Sequence, residues 1–179
     1  VKPLPWIAMG FVVVLLTARA GGYDLLPDPL GWVVVLVGLR ALPAGIEHQP
    51  ALRALALLAL VVAALTWVPA VLDLVDDDSL RWAASLPHLG FVALLAHALM
   101  TAAGAAGDRR SARWWSGIRT LVVVVAVLPV LVLGGHVTAL RDLTGALTVI
   151  APIVVIGLLF AHGSRPWAVD PDRLAAPTP

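Results

Sequence analysis

Of the side chains in this 179-residue sequence whose types bind ions or move protons, seven stand out in or beside the breaks between apolar runs. They are Asp24, Asp28, Asp73, His88, His136, Arg141 and Asp142. Carboxylates with imidazoles can hold a cation or relay protons, and Arg19 is near enough in sequence to neutralise Asp24 or Asp28. The same residues also suit plainer roles, as solvated loop charges and helix caps. His97 is different, because it lies deeper inside the apolar run that His88 enters. Histidine in a membrane span faces the bundle interior and finds a hydrogen-bond partner there. His88 and His97 are nine residues apart, so a straight helix points them to nearly opposite faces.

Spacing excludes most other chemistry. There is no HExxH and no pair of histidines four apart, so no metal is expected. None of the five serines lies in a GxSxG or SxxK motif. No glycine-rich phosphate loop or dinucleotide fingerprint occurs, so no cofactor is expected. Cysteine is absent, which removes disulfides, thiol nucleophiles and Cys-ligated metals. Proteolysis by paired aspartates needs two carboxylates at membrane depth, whereas every Asp lies in or near a loop.

Composition says what must position these residues. The chain is 60% hydrophobic and only 13% charged, with mean hydropathy +0.95. A soluble domain carries about 25% charge, so the apolar excess must face lipid. Six apolar segments follow: Leu4 to Ala20, Leu30 to Leu42, Ala54 to Leu72, Trp82 to Ala103, Thr120 to Leu133 and Leu143 to Phe160. The first two are short for spans. Gly21 and Gly22 end the first, and Pro27 and Pro29 are expected to delay the second. The run Asp108 to Arg119 reads as a loop. The predicted fold is all-α and integral to the membrane, with six transmembrane helices arranged as three hairpins. Residues 1–165 form the membrane domain and residues 166–179 a disordered tail. Ala18-Arg19-Ala20 also fits a signal-peptide cleavage site, which would leave five spans.

With six spans, one side collects Lys2, Arg40, Arg53, Arg109, Arg110, Arg113, Arg119, Arg165 and Arg173. The other side has only Arg19, Arg81 and Arg141. Positive charge marks the cytoplasmic side, so both termini are expected in the cytoplasm of a bacterial inner membrane. The seven tryptophans fall near segment ends, as in an interfacial belt. Arg109, Arg110 and Arg113 would meet anionic lipid at about 1 kcal/mol each. Net charge +1 argues against nucleic acid.

A weak repeat runs along the chain. Asp28-Pro29-Leu30-Gly31, His88-Leu89-Gly90 and Asp142-Leu143-Thr144-Gly145 each place a polar residue, a Leu and a Gly at a helix entry. The run Tyr23-Asp24-Leu25-Leu26-Pro27-Asp28-Pro29-Leu30-Gly31-Trp32, with its helix ending Gly38-Leu39-Arg40, resembles a DLLPDxxG[YW] turn. That turn occurs in the first hairpin of small uncharacterised multi-pass proteins of bacterial membranes. The resemblance implies a polytopic membrane protein and brings no activity with it.

The residues point first to a non-enzymatic membrane component, a small transporter or a partner subunit, with a polar cluster on its outer face. One alternative is a membrane-embedded enzyme acting on a lipid or cell-wall precursor, with Asp28, Asp73 or His136 as acid or base. Another is a structural assembly module or homo-oligomer, presenting small residues at Gly10 or from Ala102 to Gly107.

Overall fold

The computed structural model describes residues 2–16, 19–20, 23–24, 28–68, 71, 77–135 and 138–169. The fold is all-α. Its helices are α1 (Pro3–Leu15), α2 (Asp28–Arg40), α3 (Gln49–Thr66), α4 (Asp78–Ala105), α5 (Arg109–Pro129) and α6 (Arg141–His162). Between α1 and α2 a two-residue antiparallel ladder sets Arg19 opposite Asp24. Four helices, α3 to α6, are long and apolar enough to cross a membrane. By contrast α1 and α2 have 13 residues each, about 20 Å against a hydrocarbon core of about 30 Å.

Each helix packs on its neighbours in sequence, and α6 returns to pack on α1, so the six close into a ring. The closest pairs are α1 with α2 and α4 with α5, and the thinnest contact is between α5 and α6. The expected hairpin of the third and fourth segments is present, but α4 packs more extensively on α5.

Several boundaries differ from the sequence reading, each for a local reason. The first helix stops at Leu15, and Arg19–Ala20 is extended. The second begins at Asp28 despite Pro29, because a proline in the first turn lacks only an N–H that has no helical partner there. The third begins at Gln49, with Pro50 in the same kind of position. Before it, His48 takes a left-handed conformation at φ 60°, and Gln49 Nε2 donates to the Pro43 carbonyl at 2.7 Å. Asp77 caps α4 by accepting from the amides of Ser79 and Leu80. Those amides hold its carboxyl below the ordinary carboxylate value.

The run Asp108 to Arg119 is helical rather than a loop. Asp108 caps it by accepting from the Ser111 amide at 3.0 Å and the Ser111 hydroxyl at 2.7 Å. Gly107, at φ 76°, ends α4 just before this cap. The amides of Gly107 and Asp108 donate back to the carbonyls of Gly104 and Ala103. Beyond α6 the chain turns through Pro166–Ala168, where Ala168 is buried and Trp167 Nε1 donates to Asp108 at 3.3 Å.

Glycine fixes how α1 meets α2. A Cβ on Gly10 would lie 2.6 Å from the Gly31 carbonyl oxygen, and one on Gly31 would lie 2.6 Å from the Gly10 oxygen. A Cβ on Gly38 would lie 2.9 Å from the Ile7 nitrogen. Gly10 is therefore spent on contact within the chain, and the sequence expectation that it serves a partner is corrected. The repeat glycines have unlike surroundings: Gly31 is pressed on backbone, Gly90 touches Leu55 in ordinary contact, and Gly145 meets open space.

The exterior is apolar. Val61, Val149 and Ile153 are 53%, 61% and 55% exposed. Water would penalise such a surface, whereas contact with a lipid bilayer would not.

Candidate binding cavity

A cavity of about 670 Å³ occupies one half of the ring. Its wall takes the C-terminal halves of α1, α3 and α5 and the N-terminal halves of α2, α4 and α6. Only helices alternating in direction can bring those six halves together.

Most of the lining is apolar, including Val14, Leu15, Val62, Val125, Val132 and Val155. Asp28, Asp78, Arg81 and Arg141 line it from the first turns of α2, α4 and α6, so charge gathers at one end. Asp78 and Arg81 pair at 3.7 Å across one helical turn, both well exposed, so this pair contributes little to stability. Four hydroxyls also line the wall. Thr66 donates to the Val62 carbonyl, Ser85 to Trp82, Thr144 to Leu140 and Thr148 to Thr144. Their single protons are used within their own helices, so each oxygen offers lone pairs as an acceptor.

His88 lies about 15 Å along α4 from Asp78. Its ring meets Phe11 at 5.4 Å and Trp32 at 5.3 Å, and Phe91 completes the aromatic group. Among the described residues, neither His88 ring nitrogen has a hydrogen-bond partner. Gly31 lets α1 and α2 approach and Trp32 then fills the space above Phe91, which gives the second half of the LPDPLGW run a packing role. Trp82, also in the lining, ties α4 to α5 by donating to the Ala126 carbonyl at 2.9 Å.

The structure thus brings Asp28, His88 and Arg141 to one cavity. Asp142, beside Arg141, is exposed and does not line it. Asp24 lies in the short ladder with its side chain outside the described residues, where Asp73 and His136 also fall. The sequence reading missed Asp78, Arg81, Ser85, Thr144 and Thr148 as a set. A signal was present: Asp78, Arg81, Ser85, His88 and Val92 recur every three or four residues, as do Arg141, Thr144, Thr148, Ala151 and Val155. That spacing draws one stripe along a helix, and the polar members mark the stripe that does not face lipid.

His97 belongs to the opposite end. Arg119 donates to its Nδ1 at 3.2 Å, and its ring stacks on His48 at 5.8 Å. The expected hydrogen-bond partner is therefore a side chain from α5. The same end carries Lys2 donating to Ser164, and Arg165 3.8 Å from Asp108. The Ser111 hydroxyl is the main reason the Asp108 carboxyl is held down at about 2. Arg109, Arg110 and Arg113 are exposed there. No group of three or more candidate metal ligands occurs among the described residues.

The chain matches no family model, and no curated protein or solved structure is significantly similar to it.

Proposed function

We propose that this chain is a six-span, non-enzymatic component of a bacterial cytoplasmic membrane that binds a small amphiphile in its cavity, as a small transporter or a transporter's partner subunit. The carrying observation is the distribution of groups around the cavity: two carboxylates and two guanidiniums at one end, apolar walls below. An apolar body would fill the walls, and a head carrying both charges would meet the rim. The volume falls within the range of roughly 300–1,000 Å³ typical of small-molecule sites. The ring supports the six-span reading, because α1 and α2 complete the wall that the four long helices leave open. The basic residues at the end away from the cavity support cytoplasmic termini, with the cavity towards the outer face.

The test is binding of lysophosphatidylcholine to the purified protein in nanodiscs, read from tryptophan fluorescence. Ala84→Phe narrows the cavity from α4 and is expected to weaken binding at least tenfold. Asp28→Asn is expected to slow movement of the same probe across proteoliposomes without lowering the unfolding temperature. Binding that is unchanged in Ala84→Phe would overturn the reading.

A further inference from the structure

We infer that the cavity is loaded sideways from the bilayer, through the seam between α5 and α6, and that its ligand is a membrane-resident lipid rather than a water-borne solute; this rests on the cavity being the binding site proposed above. The seam is the thinnest contact in the ring, so it separates with the least loss of packing. Both helices also carry a proline in the cavity lining. Pro129 ends the regular part of α5, which continues as a π turn over Val130–Gly134, and Pro152 lies inside α6. Each proline lacks the N–H that would bond the carbonyl four residues back, at Val125 and Thr148. All four of these residues line the cavity.

The outward faces of α5 and α6 say which phase lies outside the ring. On α5, Val123, Val124 and Val127 are exposed, and on α6, Val149, Ile150 and Ile153. A gap between these helices would therefore open onto acyl chains. Inside it stand Val122, Val125, Ala151 and Val155, so an acyl chain passing through exchanges one apolar surface for another. A head group travelling with it need only slide along the charged end, past Arg141 and Thr144, at the start of α6. A hydrated solute has no comparable path through that wall.

The native chain has no cysteine, so a pair can be placed across the seam without other changes. Val127→Cys with Val149→Cys, both outside the cavity lining, sits equally far along the sequence from Thr138 on the two antiparallel helices, and Leu131→Cys with Gly145→Cys repeats the design nearer the rim. The probe is phosphatidylcholine carrying a diazirine on its acyl chain, in liposomes holding the full-length protein. After illumination, mass spectrometry should find adducts on Ala63 and Val92, which line the cavity from α3 and α4, as well as on the outer residues Val123 and Ile153. Joining either cysteine pair with a short bis-maleimide should cut the Ala63 and Val92 adducts at least tenfold and leave the outer ones unchanged. Cavity adducts that persist after bridging overturn the route while leaving the binding reading standing. If cavity adducts are absent even from the native protein, a two-chain lipid of the bilayer is not the ligand and the inference fails. Lysophosphatidylcholine binding then decides separately whether the cavity binds anything.

Discussion

Gly31 and Gly157 show how differently one residue type behaves in this chain. Both are helical, and alanine at either would gain up to about 1 kcal/mol in helix propensity. At Gly157 nothing lies within 4 Å of the added carbon, so Gly157→Ala should raise the unfolding temperature. At Gly31 the carbon meets a backbone oxygen at 2.6 Å, which only movement of α1 can relieve. Overpacking of that kind costs about 1–3 kcal/mol, so Gly31→Ala should lower the unfolding temperature despite the gain in propensity. Thermal unfolding of the two variants side by side checks the pair.

Asp108 makes a second prediction at this scale. Its folded-state carboxyl is held at about 2, below the ordinary 3.8, chiefly by the Ser111 hydroxyl. A depressed carboxylate stabilises the fold fully above its unfolded value and loses that contribution as pH falls through the folded one. The cap should therefore weaken between about pH 4 and pH 2, and Asp108→Asn should flatten acid unfolding across that window.

At the scale of elements, the apolar runs made the number of helices legible, while their ends were legible only where a cap could be recognised. Asp108 followed by Ser111 is such a cap, yet the Arg and Trp residues after it read as a loop because they are polar or interfacial. Pro29 read as a breaker, although it occupies a first turn where proline is tolerated. Less than half of the candidate site was accessible in the same way. His88 and Arg141 stand out as isolated polar residues, but Ser85, Thr144 and Thr148 become significant only when laid on a helical stripe with them. Which helices would close the ring was not legible, because α1 and α6 are joined by packing and not by sequence. Pro152 carries the element-scale prediction. Pro152→Ala restores one backbone hydrogen bond to α6, worth up to about 3 kcal/mol, and should both stabilise the protein and slow lipid labelling of Ala63.

For the whole molecule, the alternating ring puts the turn at Glu47 and the start of α4 at Asp77 at opposite ends. Cysteines placed at these two positions should react with an impermeant maleimide from opposite sides of a sealed vesicle. Labelling from one side alone would break the six-span reading.

The 13-residue α1 and α2 stand side by side in that ring, next to helices of up to 28 residues. A bilayer matched to the long helices overshoots this pair by about 10 Å, and lipid answers such a mismatch by thinning locally, at a fraction of a kcal/mol per ångström. The membrane around the protein would then be lopsided, pinched beside α1 and α2 and of ordinary depth beside α5. Lengthening α1 by one turn of leucines should accordingly shift the acyl-chain length at which the protein is most stable to heat towards thicker bilayers.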